Sequence, residues 1–144
     1  MLTSMRRLAT ATSASVRRAA SFIPGGFAAW FSTAQTFEFR TGSVDEVTQA
    51  IQGDDVVMFS KTTCPFCTRA KSLLSQEYGK PLTVYELDVL PNGFQIQTSL
   101  AEITGQRTVP NVFVGGNHIG GHDDVVAGLE SGDLQTALER VAKQ

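Results

Sequence analysis

Val56-Val57-Met58-Phe59-Ser60-Lys61-Thr62-Thr63-Cys64-Pro65-Phe66-Cys67 is the stretch whose reading decides the fold. Its first four residues are a continuous apolar run rich in β-branched side chains, which fits a strand buried on both faces. After a short polar connection comes Cys64, and Pro65 suits the first helical position, where its missing N–H would be unpaired anyway. Phe66, Ala70, Leu73 and Leu74 then recur at helical spacing as far as Gly79. Strand, short loop and helix therefore carry a Cys-x-x-Cys pair at their junction, and Cys64 and Cys67 are the only cysteines in the 144 residues. No sulfur is left over for a disulfide framework, so the pair serves chemistry or a metal.

Working outward, Ser43-Val44-Asp45-Glu46 has capping-box form and opens a helix with Val44, Val47 and Ile51 on one face, closed by Gly53. Downstream, Pro81 ends a connection and Leu82 to Leu87 reads as a second strand. Asn92 then caps a helix carrying Ile96, Leu100 and Ile103 up to Gly105. A βαβα order of this kind implies a parallel strand pair. Asn111 to Val114, a Gly115-Gly116-Asn117 turn and His118-Ile119 predict a hairpin, because so short a connection joins only antiparallel neighbours. Asp123 and Asp124 mark a helix start, and Val125, Val126 and Leu129, then Leu134, Leu138 and Val141 after Gly132, predict one or two closing helices. The fold class is α/β, a four-stranded mixed sheet flanked by helices in the order α-βαβ-α-ββα.

Composition is that of one globular domain, 42% hydrophobic and 18% charged. All 14 acidic residues lie at Glu38 or later, whereas Arg6, Arg7, Arg17 and Arg18 sit in a stretch without any acid. Residues 1–36, rich in Arg, Ser, Thr and Ala, predict a cleavable targeting leader or a disordered tail, and residues 37–144 the functional domain. The mitochondrial matrix is favoured over a plastid or the cytoplasm, and a secretory signal is disfavoured because Arg17-Arg18 and Pro24-Gly25-Gly26 interrupt any apolar core. From Phe37 onward, 8 basic side chains face 14 acidic ones, which is no nucleic-acid surface. No apolar run reaches the roughly 18 residues of a membrane span.

Three readings compete for the cysteine pair. Two thiols can be small core residues, but C-x-x-C beside a βαβ pattern reads as redox. A zinc site would recruit His118 and His122, whose H-x₃-H spacing suits a metal. Gly120-Gly121 between them argues against the helix that would put both imidazoles on one face. In the redox reading, Cys64 at the helix N-cap faces unpaired backbone N–H groups and the positive end of the helix dipole, which stabilise a thiolate. Lys61 and Arg69 add positive charge. Cys67, one turn inside the helix, waits as a thiol, so Cys64 attacks and Cys67 resolves.

From about Phe37 to its end the chain resembles a dithiol glutaredoxin. Lys61-Thr62-Thr63-Cys64-Pro65-Phe66-Cys67 matches that family's active-site loop, with Phe66 where Tyr is more usual. Gly105-Gln106-Arg107-Thr108-Val109-Pro110-Asn111-Val112-Phe113 and Ile119-Gly120-Gly121-His122-Asp123-Asp124 match two further motifs in the right order. The resemblance implies a thioredoxin-like sheet, a cis peptide before Pro110, and a redox-active Cys64–Cys67 disulfide. It also implies glutathione as co-substrate, with no resident metal. The implied binding site comprises Lys61 and Arg107 on the glycyl carboxylate and Val109 on the cysteinyl backbone. The His122 and Asp123 N–H groups take the γ-glutamyl carboxylate, and Phe66, Thr108, Pro110 and Gly121 lie around Cys64. An extended peptide beside a free backbone edge is a three-residue form of strand addition.

The implied activity is reduction of protein–glutathione mixed disulfides and protein disulfides. Its partners are glutathione, glutathionylated or disulfide-bonded client proteins and, indirectly, the glutathione reductase system. The protein is expected to act as a monomer without nucleic acid or membrane. An alternative is a carrier of a [2Fe–2S] cluster ligated by Cys64 of two subunits and two glutathiones, since thiolates are the natural ligands of such clusters. Pro65 weighs against it, because in this family that role is associated with Ser or Gly at the position. A thioredoxin-like reductase served by a flavoprotein is weaker still, because Thr63 and Pro65-Phe66 fit neither the Trp nor the Gly-Pro of such loops. Phe66 removes a hydroxyl near Cys64, and His122 brings an imidazole, the side chain that responds to pH near neutrality, beside the γ-glutamyl end.

Overall fold

Every residue of β1 (Val56–Ser60) is buried, and the rest of the domain is arranged around that fact in a computed structural model that describes residues 37–144. Alternation along the strand sends Val56 and Met58 to one side and Val57 and Phe59 to the other, so that two apolar layers are needed to cover it. α1 (Val44–Gly53) and α3 (Gly93–Thr104) cover one face, where Val47, Ile51, Phe59, Tyr85, Ile96, Leu100 and Phe113 pack together. α2 (Pro65–Tyr78), α4 (His122–Ser131) and α5 (Asp133–Ala142) cover the other through Met58, Ala70, Leu74, Val112, Val125, Leu134 and Leu138. The sheet runs β2-β1-β3-β4, with β2 (Thr83–Glu86) parallel to β1, and β3 (Asn111–Val114) and β4 (Asn117–Gly120) joined antiparallel. This is the expected four-stranded mixed sheet with helices on both faces. The leader predicted over 1–36 lies outside the described residues.

The hairpin turn is shorter than the sequence suggests. Gly115 and Gly116 alone make it, at φ of 56° and 79°, a pair of left-handed residues that suits a two-residue hairpin, and Asn117 already pairs with Val114. β2 likewise stops a residue short of the expected Leu82–Leu87 at each end.

Caps depart from the sequence pattern in an informative way. Ser43 does accept the Glu46 N–H, at 3.4 Å. The Glu46 carboxylate, however, does not return to Ser43. It gathers the N–H groups of Arg40, Thr41 and Gly42 at 3.3, 3.0 and 2.8 Å, and these bonds, Thr41's foremost, hold its pKa below the usual carboxylate value. Asn92 stands at the α3 N-cap, yet its side chain donates to the Phe39 and Arg40 carbonyls at 3.1 and 2.9 Å instead of capping the helix. Both residues spend their polar groups on the incoming strand-like segment, tying 37–42 onto α1 and α3. Ile103, expected on the buried stripe of α3, is 38% exposed; Ser99 takes the inward place and donates to the Gly42 carbonyl at 2.6 Å.

Gly93 is required by close approach. A Cβ built there would lie 1.7 Å from the Leu87 carbonyl oxygen. Gly-to-Ala replacement in a helix ordinarily gains up to about 1 kcal/mol. Gly93→Ala is instead expected to destabilise by about 1–3 kcal/mol, as overpacking does, read as a lower urea midpoint at unchanged slope. A raised midpoint would show that α3 is free to move away from Leu87.

Candidate active site

The end of β1 and the start of α2 place the two thiols in unlike surroundings. Cys64 is the N-cap of α2, in extended conformation, and its Sγ accepts the Cys67 N–H at 3.2 Å. Its own N–H donates to the Lys61 carbonyl at 3.1 Å and its carbonyl accepts from Thr68 at 3.2 Å, so the thiol-bearing residue is held at both ends. Cys64 is half-buried, whereas Cys67 is fully buried. Burial, and then the hydrogen bond with Cys64, push the Cys67 thiol pKa up. A reactant arriving from solvent meets Cys64 first, while Cys67 remains a thiol one turn behind it.

Facing Cys64 is the loop before β3. The Val109 carbonyl lies 3.9 Å from Cys64 Sγ, and the Val109–Pro110 peptide is cis, as the resemblance implies. Among the described residues the Val109 N–H has no hydrogen-bond partner. A groove of about 390 Å³ runs from here along Phe66, Thr108, Pro110, Gly121, His122 and Asp123. Phe66 is 52% exposed, with its ring 5.4 Å from that of His122 and with the Arg69 guanidinium 5.7 Å above it. Arg69 is therefore engaged with the aromatic wall of the groove. At the far end α4 begins, and the leading N–H groups of a helix make a favourable seat for an anion.

The structure brings Phe66, Thr108, Val109, Pro110, Gly121, His122 and Asp123 around one groove, with Cys64 joined to it through the Val109 carbonyl. Lys61 and Arg107 are not among the residues lining that groove. Lys61 is half-buried on the loop before Cys64, where its charge helps to hold the Asp88 carboxyl down. Arg107 is exposed and lines an adjoining groove of about 400 Å³ with Phe94 and Gln97.

Two residues that position the site escape the sequence reading, and a third, Asp124, is legible there only as a mark of the helix start. Gln106 uses its amide to hold the Thr108 and Pro110 carbonyls at 3.0 and 2.8 Å, pinning both ends of the Val109 turn. Asp124 accepts the Gly121 N–H at 2.8 Å, which organises the start of α4. Its spacing, three residues beyond the cap, is a readable signal. Asp88 accepts the Thr62 N–H at 3.0 Å and the Thr62 hydroxyl, fixing the loop that delivers Cys64 from across the parallel pair. Nothing local in the sequence announces that contact or those of Gln106.

The two histidines have separate neighbours. His118 Nε2 meets Asn111 Oδ1 at 2.8 Å and its ring packs on Phe113, and burial lowers its pKa although the Asp124 charge opposes this. His122 Nδ1 meets Asp123 Oδ1 at 3.0 Å. Among the described residues no three His, Cys, Asp or Glu side chains converge as a metal site would require. The zinc arrangement of both cysteines with both histidines is thus not assembled.

An accessible cysteine at a helix N-terminus, a buried partner one turn on, and a facing groove beside a cis-proline loop define a thiol–disulfide oxidoreductase of thioredoxin-like fold. The glutaredoxin family model matches residues 56–119. A glutaredoxin from Ricinus communis is 52% identical over 90 residues, covering 62% of this chain and 87% of that protein. The holo form of glutaredoxin C1 from Populus tremula x tremuloides superposes with a TM-score of 0.65 at 43% identity, over 68% of this chain and 96% of the other. A buckwheat glutaredoxin–glutathione complex gives a TM-score of 0.65 at 42% identity, over 68% and 88%. The chain belongs to the glutaredoxin family.

Asp88 offers a test of how the loop is held. Its carboxyl pKa is lowered, first by the Thr62 hydroxyl and then by the Thr62 N–H. A depressed folded pKa means that the contribution is fully present above the ordinary carboxylate value and is lost as pH falls through the lowered one. Asp88→Asn should therefore have a lower urea midpoint than wild type at neutral pH, the gap closing as the solution is acidified. A gap that stays constant or widens in acid would contradict this role.

Proposed function

We propose that this protein reduces protein–glutathione mixed disulfides and protein disulfides with glutathione as co-substrate. The observation that carries the reading is the unlike burial of the two thiols beside a groove that ends at a helix N-terminus. Cys64 attacks the glutathione sulfur of a mixed disulfide, the client thiolate leaves, and Cys64 becomes glutathionylated. A second glutathione attacks that adduct, restoring the Cys64 thiolate and releasing glutathione disulfide. With a protein disulfide, Cys67 attacks the Cys64–client bond, and an internal Cys64–Cys67 disulfide forms as the client departs reduced. A thiol with good thiolate character serves as attacker and as leaving group, which is why one cysteine carries both roles.

In this reading the groove holds glutathione as an extended peptide. The Val109 backbone pairs with its cysteinyl residue, and Phe66, Thr108 and Pro110 flank it. The N–H groups of His122 and Asp123, next to Gly121, receive the γ-glutamyl carboxylate, and the exposed Asp123 carboxylate receives the ammonium. Lys61 and Arg107, on either side, supply the positive charge for the glycyl carboxylate. What supports this is the unpaired Val109 N–H together with the free start of α4.

Glutathione-dependent reduction of a small mixed disulfide, coupled to glutathione reductase, tests the assignment. Cys64→Ser is expected to abolish turnover, whereas Cys67→Ser keeps deglutathionylation and loses most protein-disulfide reduction. Loss of both activities in Cys67→Ser would refute the division of labour. Gln106→Ala removes the amide that pins the Val109 turn, which at about 1–1.5 kcal/mol per hydrogen bond predicts a glutathione KM raised about tenfold with kcat little altered. An unchanged KM would separate this turn from glutathione binding.

A further inference from the structure

The start of α4 carries two successive acids with different occupations. Asp124 accepts the Gly121 N–H at 2.8 Å and lies so close to Gly120 that a Cβ built there would meet its Oδ2 at 2.3 Å, so its carboxylate is spent on the helix cap. Asp123 also lines the groove, and its side chain is 99% accessible to solvent. Of the two it is the one open to a cationic group on a ligand. An exposed aspartate, however, turns among three staggered wells about χ1, and only one of them keeps the carboxylate where the structure places it.

His122 removes that freedom. Its Nδ1 meets Asp123 Oδ1 at 3.0 Å, and since a carboxylate has no hydrogen to give, the proton of this bond is on Nδ1. One oxygen held in this way leaves the other for a second donor. The imidazole is itself held. Its side chain is only 17% accessible, its ring lies 5.4 Å from that of Phe66, and the Arg69 guanidinium stands 5.7 Å from the Phe66 ring centre. Arg69, Phe66, His122 and Asp123 thus form a chain of contacts from α2 to α4 along the groove. A pair with so exposed a carboxylate contributes little to stability, and its consequence is the position of that carboxylate.

We propose that His122 is a specificity-determining residue, its imidazole, braced by Phe66, fixing the Asp123 carboxylate as the reader of a free α-ammonium on the thiol co-substrate. The inference rests on the proposed function, in which the γ-glutamyl end of glutathione lies here. It goes further in naming what the site selects, a γ-glutamyl thiol that keeps its amine over the same peptide without it. Through its side chain His122 acts on Asp123 and is a positioning residue. The selection is one of population. With three wells open, about one side chain in three is competent, so loss of the brace lowers apparent affinity about threefold, and only for a ligand that carries the ammonium.

The test uses two mixed disulfides of one coloured nitrobenzene thiol, the first with glutathione and the second with glutaryl-cysteinyl-glycine, which is glutathione without its α-amino group. Reduced full-length protein is mixed with each, and release of colour gives the second-order rate of attack by Cys64. The ratio of the two rates is the preference, from which the fraction of folded protein cancels. Wild type should prefer the glutathione disulfide, and His122→Ala should lower that preference about threefold. His122→Asn, whose side-chain amide nitrogen stands close to the place of Nδ1, should restore it. Phe66→Leu removes the ring on which the imidazole rests and should lose the same preference, with His122→Ala added to it changing the ratio no further. An unchanged preference in His122→Ala overturns the inference and leaves the proposed function standing. A wild type that shows no preference removes the ammonium seat and the inference with it, and a wild type that attacks neither disulfide overturns the proposed function itself.

Discussion

Complete burial of β1 is the constraint on which the rest depends. A strand with apolar side chains on both faces must be covered twice, and each large side chain so enclosed contributes about 1.5–3 kcal/mol. β1 is an inner strand between β2 and β3, so the polar loop after Ser60 emerges at the strand's C-terminal end, at one end of the sheet. Cys64 sits there because the strand ends just before it. The same geometry points the N-terminus of α2 at the space before β3, and the Val109 carbonyl closes that space from the other side. One buried strand thus aligns the thiol with the backbone edge that faces it.

The difference between the two cysteines follows from a single helical turn. Three residues along α2 rotate the side chain from the rim to the layer beneath, where Met58, Ala70 and Leu74 exclude water. No charged group is needed to set Cys64 apart from Cys67. Exposure and the Cys67 N–H at 3.2 Å suffice to distinguish it. The cations expected to assist it have other occupations, Arg69 over the Phe66 ring and Lys61 beside Asp88. Phe66 in place of a tyrosine keeps the aromatic wall on which Arg69 and His122 rest.

Much of this was legible along the chain. Hydrophobic period distinguished β1 from α2, Pro65 marked the helix start, and Gly115-Gly116 marked the hairpin. The second and third site segments were legible through their likeness to a family and not through local chemistry, since Arg107 alone is an exposed loop charge. What misled was the use of polar side chains. Glu46 and Asn92 have the spacing and type of capping residues, yet both serve the segment 37–42, because its unpaired backbone groups compete for them. Ile103 has the right spacing to be buried, but the approach of Gly42 to Ser99 takes that place on α3.

The sequence by itself determined the elements, their order and the identity of the reactive pair, because these follow from periodicity, turn residues and the absence of any other cysteine. Only the tertiary structure decided which polar groups meet. Asp88 holds Thr62, and Gln106 holds the turn around Val109, through contacts that parallel pairing and loop packing create. The first joins residues far apart in the chain, and the second uses backbone carbonyls that every residue carries, so no residue type announces them. The apolar pattern sets where the chain must bury itself; the donors and acceptors left at the edges then find partners that only the packed arrangement brings within reach.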